Sequence, residues 1–572
     1  MREKLRRYFV HLSAISAICV LFTGIGYAAD NPLPAKYPDE WGVIFGQAME
    51  LDPSDFPTEG HNAFTGFDPS RTVYKKGTVF YEGGTAIPCD IIYDRDVTVT
   101  MRDGVKIYID IFRPAGATEK LPAIVCWDPY GKGTPRQPLS EIPSGEGISG
   151  LAMFEGPDPG YYCNHGYAII NVDKRGANMS EGNVHYWGMV EAGDGYDLIE
   201  WLAKQDWSNG KVGMAGHSWP GISQWFIAAA QPPHLAAIAP WSAHFSDQYR
   251  GDVCVGGIPT TAFNKNVTDG LRTTNLVERP YAMVEKYPLM HPYWEDKIAK
   301  IENINIPVYS FCGYSDDLEG ARELMRLGHS ETWLYIGQRG ATNDIDLLRF
   351  FDRYLKGTEN GWETTPKVRL RVMDPASIDQ FNRPETGWPL PQTVYRQLFL
   401  DSSTGALSTQ PVTEPSNARY STKEGKAAFK ITFEEDTELT GYMKLLLWVE
   451  ADGADDMDVF VAIQKGDAQG NFYRATNGQQ RVSLRALDPE KSTSYMPVPS
   501  FRKRDLLTKG EIVPVEIAIQ PLGMVWYAGE QLLLTVSGRS MGRFPVPTIN
   551  KGDHIIHTGP QYPSYLQVPV IP

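Results

Sequence analysis

Gly213-Met214-Ala215-Gly216-His217-Ser218-Trp219-Pro220-Gly221 is the stretch whose reading decides the fold. Residues 206–210 before it are polar turn material, residues 211–215 predict a short buried strand, and residues 219–230, rich in Ala, Ile and Phe, predict a helix. A serine between strand and helix, with Gly216 two residues earlier, predicts a nucleophile elbow. The elbow is a sharp, strained turn that lifts a hydroxyl clear of a sheet, and a side chain at position 216 or 221 would crowd it. The spacing is Gly-x-Ser-x-x-Gly, one residue longer than the common form. Pro220 takes the extra position, in a helical first turn where its missing N–H costs nothing.

Working outward, the alternation of apolar runs and helical windows continues on both sides of this turn. Residues 97–101 and 105–112 predict two strands joined at Asp103-Gly104, with residues 122–128 a third and 167–173 a fourth. Residues 191–204 predict a helix in which Tyr196, Leu198, Ile199 and Leu202 share one side. Residues 235–241 predict a further strand. Alternation then stops from 242 to 305 in an aromatic-rich stretch that predicts a cap inserted over the sheet edge. It resumes with strands at 307–313 and 332–337 and helices at 318–328 and 344–356. This order implies a mostly parallel sheet covered on both faces. Beyond residue 363 short strands follow one another with hardly any helical period, which predicts a β-sandwich or jelly roll.

The expected organisation is therefore α/β. It comprises a signal peptide at 1–28, an irregular arm at 30–95, an α/β-hydrolase domain at 96–241 and 306–362, a cap at 242–305, and an all-β jelly roll at 363–572. Arg2, Lys4, Arg6 and Arg7 precede an apolar stretch at 12–22 and a small-residue site ending at Ala28, the pattern of a secretory signal. The apolar run is shorter than the roughly 20 residues a spanning helix prefers. Secretion or transfer to a periplasm is the implied destination.

With 572 residues and 42% hydrophobic content the chain has room for two or three cores. Loss of four basic and one acidic side chain with the signal takes the net charge from −15 to about −18, which argues against nucleic acid as a partner. No membrane contact is expected after cleavage, and homo-oligomerisation is left open. Five cysteines stay in the mature chain, too many for all to pair. Cys126 and Cys312 lie in apolar runs, and a single bridge among Cys89, Cys163 and Cys254 is compatible with export.

In a doubly wound sheet reactive groups gather at the carboxyl ends of the strands. Asp128-Pro129-Tyr130-Gly131-Lys132, Asp173-Lys174-Arg175-Gly176, Ser218 and Gly313-Tyr314-Ser315-Asp316-Asp317 all fall there. Acyl transfer needs a nucleophile, a base, a group orienting the base, and donors for the developing oxyanion. Ser218, Asp316, and Tyr130 with the Trp219 amide meet three of these needs.

At these segments, and at 99–114, 200–221 and the closing residues 559–566, the chain resembles a known family. It comprises cocaine esterase, the α-amino-acid ester hydrolases and the Xaa-Pro dipeptidyl-peptidases, and the resemblance runs from about residue 95 to the C-terminus. It implies Ser218 as nucleophile, Asp316 as acid, Tyr130 and the Trp219 N–H as oxyanion hole, and a small ester or short peptide as substrate. It also implies a histidine after the strand at 332–337, in a Gly-Pro-Trp-x-His pattern. This chain reads Gly337-Gln338-Arg339-Gly340-Ala341, with Ala341 at the histidine position and no histidine between Ser330 and Asp553.

Of the other histidines, His329 precedes its strand and should lie about 20 Å from the elbow, at roughly 3.3 Å per strand residue. His217 is the nucleophile's neighbour, on a turn where adjacent side chains diverge. His244 follows the strand ending at Trp241, on the active edge, and is the candidate base; His185 has a lesser claim, and His554 and His557 read as structural. Asp452, Asp455, Asp456 and Asp458 lack EF-hand spacing, Arg502-Lys503-Arg504 reads as a charged loop, and no cofactor or metal motif is present. The chain thus reads as an exported serine hydrolase. The alternative is a binding or scaffold protein on a hydrolase frame whose turnover was lost with the histidine.

Overall fold

The computed structural model describes residues 41–48, 66–133, 149–243, 245–315, 318–337, 343–375, 377–541 and 546–572. The predicted signal segment lies outside these residues, as do His244, Asp316 and Ala341. Among the described residues no helix is long and apolar enough to cross a membrane.

An eleven-stranded sheet carries the elbow. Across it the strands run Gln380–Glu385, Val368–Val372, Thr332–Ile336, Val308–Cys312, Leu235–Trp241, Ser208–His217, Leu121–Asp128, Ala168–Asp173, Lys106–Pro114, Ile91–Thr100 and Ser70–Tyr74. The seven from Val368–Val372 to Ala168–Asp173 pair in parallel, and antiparallel strands finish both sides. The central strands are buried on both faces, as their nearly unbroken apolar sequence requires. Ala123, Val125, Ile170, Val172 and Met214 meet Leu198, Leu202 and Ile227 of the helices Met189–Ala203 and Trp219–Ala229. The alternate residues Ile124, Ile169, Ala215 and Ala237 face Phe350, Phe351 and Leu355 of the helix Asp344–Leu355. The period of two sorts one strand's side chains between two cores.

Several boundaries differ from the sequence reading. Residues 206–210, read as turn, run into the strand Ser208–His217, because Leu121 pairs with Ser208 and extends it backward. The arm at 30–95 is not irregular throughout. Ser70–Tyr74 pairs with Ile91, Ile92, Tyr93, Asp94 and Arg95, and Phe45–Gln47 pairs with Leu276–Glu278 of the cap. Val368–Val372 and Gln380–Glu385 belong to the first sheet, since Leu334 pairs with Val368 and Ile336 with Leu370. The second core therefore begins at Val394–Asp401, some thirty residues beyond the change in sequence texture. No bridge forms among Cys89, Cys163 and Cys254: these three, with Cys126 and Cys312, are free thiols, four of the five buried.

That second unit is all-β, an eleven-stranded sheet that closes on itself where Thr437–Asp452 also pairs with Tyr565–Ile571. His554 is buried in it, with the Tyr420 hydroxyl 3.1 Å from its Nδ1. Burial pushes its pKa down to about 4. The folded protein thus holds it neutral where the unfolded chain, titrating near 6.5, binds a proton. Its share of the stability is fully present above about pH 6.5 and is lost as pH falls toward 4, up to about 3 kcal/mol. Relative to His554→Gln, the native protein should lose about 2 kcal/mol more between pH 7 and 4.5, read from urea unfolding at both pH values.

Candidate active site

Ser218 stands between its strand and its helix at φ 59°, ψ −117°, a conformation rare for a residue with a side chain. Its N–H donates to Trp241 O (2.9 Å), its carbonyl accepts from Ile222 N–H (2.8 Å), and the His217 N–H donates to Glu155 O (2.9 Å). Three neighbouring segments thus hold the turn. The glycines are needed for close approach: a Cβ at Gly216 would lie 2.4 Å from Pro220, and one at Gly221 2.7 Å from the Trp241 carbonyl. Trp219 opens the helix, so its N–H has no partner within the helix.

Tyr130 arrives from the loop after Leu121–Asp128, its ring edge-on to Trp219 with centroids 6.3 Å apart. Burial, then the carboxylates of Glu155, Asp128 and Asp252, hold its phenol well above the usual range. It is a protonated donor at any working pH, as an oxyanion contact requires. The loop is pinned two residues on. Lys132 N–H donates to Asp173 (2.7 Å), and its ammonium, also bonded to Asp96, donates to Asp110 (2.8 Å). Burial pushes Asp173 up to about 6 despite the Lys132 charge.

A second buried network, which the sequence reading did not find, lies beneath the elbow. Lys174 pairs with Glu191, whose other oxygen accepts from Ser223 (2.6 Å) and from the Trp219 indole (3.4 Å). The Trp219 ring stacks on Trp187 at 4.1 Å, with the Lys174 ammonium 4.8 Å from its centroid. Arg175 is held by Asp194 at 2.6 and 2.7 Å. The charged run after the fourth strand therefore supports the turn from below and has no part in the cavity above it.

That cavity, about 510 Å³, is lined by Ser218, Tyr130 and Trp219 from the sheet and by residues of two further regions. The cap supplies Phe245, Asp252, Thr260, Phe263, Asn264 and Val267, and the β-domain supplies Phe460, Arg474, Thr476, Gln479 and Gln520. Tyr314 and Ser315, immediately before Asp316, also line it. Cap and β-domain interlock beside it: Arg481 N–H donates to Gly256 O (2.7 Å) and the Gln479 amide to Val255 O (2.9 Å). Asp252 is an acidic wall residue absent from the sequence reading. Tyr186 O–H donates to its Oδ2, as does Asn264 at 2.5 Å. No sequence pattern marks an aspartate whose two donors lie 66 and 12 residues away.

None of the described histidines lines the cavity. His217 Nδ1 sits 3.0 Å from Glu155, His185 Nδ1 3.4 Å from Glu278, and His557 Nε2 2.9 Å from Glu450. His329 is exposed at the far edge. Asp456 and Asp458 of the acidic run bind Ser483 and Arg481 in the β-domain. Among the described residues no three His, Cys, Asp or Glu side chains converge as a metal site.

Comparison with known proteins gives this geometry a context. Residues 103–283 match the family model of X-Pro dipeptidyl-peptidase (S15 family), and residues 360–567 that of the X-Pro dipeptidyl-peptidase C-terminal non-catalytic domain. Cocaine esterase of Rhodococcus sp. is 24% identical, with 83% of this chain and 98% of the esterase aligned. A CocE/NonD family hydrolase from Staphylococcus aureus superposes with a TM-score of 0.79 at 32% identity, covering 84% of this chain and 94% of that one. An aminopeptidase from a marine sediment Thaumarchaeota archaeon shares the fold, with a TM-score of 0.66 at 16% identity over 84% of this chain and 97% of its own. The chain therefore belongs to the S15-type family of serine hydrolases, alongside the CocE/NonD hydrolases.

Proposed function

We propose that this chain is an exported hydrolase that cleaves small esters or amides through an acyl-Ser218 intermediate. The observation that carries the reading is the strained serine opening on a cavity it shares with a protonated phenol and with Trp219, whose N–H is an orphan of the helix start. Attack by Ser218 on a carbonyl would put the developing oxyanion between Tyr130 and the Trp219 N–H, with Asp316 as the acid of the triad. The second C-terminal core is read as the jelly roll of the family, and export rests on the pattern in residues 1–28.

His244 is assigned the base by elimination: Ala341 stands at the family's histidine position, and none of the described histidines lines the cavity. The residues on either side of it support the assignment. Ala243 packs where a Cβ at Gly221 would reach it at 3.2 Å, and Phe245 lines the cavity. The aromatic walls from Trp187, Trp219, Tyr186 and Phe263 suit an apolar or aromatic acyl group, and Asp252 suits an amino group on it.

Ala341 also motivates a second reading, a binding protein that has kept the cavity without turnover. A fluorophosphonate probe separates the two. The first expects one covalent adduct per chain, on Ser218 by peptide mass spectrometry; an unlabelled Ser218 would rule it out. Hydrolysis of p-nitrophenyl acetate and of an Ala-Pro anilide then sorts ester from amide preference.

A further inference from the structure

Asp252 and Arg474 are the only charged side chains among the described residues that line the cavity. They come from different domains. Asp252 belongs to the π-helical turn Tyr249–Val253 in the cap, and Arg474 to the strand Phe472–Arg481 of the β-domain. Among the described residues most arginines pair with a carboxylate, for example Arg175 with Asp194, Arg481 with Asp458, Arg369 with Asp346 and Arg383 with Glu438. Arg474 does not. Its Nη2 donates to the Asn477 side-chain oxygen at 2.7 Å, and no described carboxylate pairs with it.

Arg474 is exposed and solvated at the rim, and among the described residues it is the one cation on the cavity wall of a chain with 69 acidic and 54 basic residues, so an anionic group entering the cavity meets it and no other positive side chain there. Neutral Asn477 accepts one N–H and aims the fork, leaving the remaining donors for an anion from solution. Thr476, Gln479 and Gln520 beside it line the same wall and add no negative charge. A planar fork of this kind matches a carboxylate in two-point contact.

We propose that Arg474 receives a carboxylate on the leaving-group side of the substrate, so that the cavity selects acylated amino acids and related anionic esters or amides. This rests on the hydrolase reading above and adds to it the class of leaving group. A cavity of 510 Å³ is about 10 Å across if taken as a sphere, room for one acyl group and one small carboxylated fragment. Asp252 repels that carboxylate from the cap side, and the two charges together set the direction in which a substrate lies. The β-domain, matched by the family model of a non-catalytic domain, would then contribute specificity directly.

The test is equilibrium binding of phenylacetylglycine and of phenylacetylglycinamide, which differ only in the charge of one end. It uses the Ser218→Ala chain so that neither ligand is turned over. Binding is read by calorimetry or by the fluorescence of Trp187 and Trp219. The carboxylate ligand should bind at least about fivefold more tightly than the amide, a preference that shrinks with added salt. Adding Arg474→Gln should bring the ratio to about one, and Arg474→Lys should keep part of it.

A ratio near one in the Ser218→Ala chain, a ratio that survives Arg474→Gln, or no binding of either ligand would each overturn the proposal. Fluorophosphonate labelling of the wild-type chain reports on Ser218 independently. Labelling without a carboxylate preference therefore removes only the role of Arg474, and a preference without labelling removes only the hydrolase reading.

Discussion

Ser218→Ala should lower kcat for p-nitrophenyl acetate by about ten-thousandfold or more while leaving KM within about threefold. The hydroxyl is the only group at the elbow that can form the acyl bond, so its loss removes covalent catalysis outright. The residual rate expected is that of the proposed oxyanion donors, Tyr130 and the Trp219 N–H, which the substitution leaves in place. Ground-state binding rests on the aromatic walls, which the substitution does not touch. A companion variant tests whether the turn is strained. Ser218 holds φ 59°, a region that costs a residue with a side chain about 1 kcal/mol and glycine little. Ser218→Gly should therefore unfold at higher denaturant than Ser218→Ala, although both are inactive. Equal midpoints would mean that the elbow stores no measurable strain.

The elements around that turn were legible because their signals are local. The strand Leu235–Trp241 and the helices Trp219–Ala229 and Asp344–Leu355 fall within about a residue of what periodicity and breakers predict. The elbow was legible because steric demand at Gly216 and Gly221 leaves a mark in the sequence itself. What local pattern does not carry is the partner of a strand. Val368–Val372 alternates buried and half-buried residues like the β-domain strands after it, and only its pairing with Thr332–Ile336 assigns it to the first sheet. Ser70–Tyr74 is largely exposed and polar, so it shows no apolar alternation; backbone pairing with Ile91–Thr100 makes it a strand.

The site divides along the same line. Tyr130 and Ser218 follow strands at the carboxyl edge of the sheet, and that rule locates them without coordinates. Asp252 and Arg474 share the cavity because the cap hairpin formed by Cys254–Val255 and Ile258–Pro259 docks on the β-domain. There Gly256, at φ +58°, lets the hairpin approach so closely that a Cβ would meet the Gln479 carbonyl at 2.0 Å. A contact between residues more than two hundred positions apart has no signature in composition or spacing. Glu191 was hidden differently: in a helical window it looks like a surface carboxylate, and only the folded chain sets it against Lys174 and Ser223.

The missing imidazole leads to the other large effect. His244→Ala should lower kcat/KM by about a thousandfold or more, because a serine hydroxyl is a weak nucleophile near neutral pH without a base to take its proton. The wild-type profile of kcat/KM should show an acidic limb, from protonation of the base, that is absent from the variant. Ala341→His is the decisive complement. With His244 serving, a second imidazole at the family position has no vacancy to fill and should change the wild-type rate by less than about threefold, yet it should recover much of the rate lost in His244→Ala. If instead Ala341→His alone raises hydrolysis about a hundredfold, no other side chain was acting as base. The native chain would then be the binding protein of the second reading, with the nucleophile and oxyanion donors kept and the proton acceptor lost.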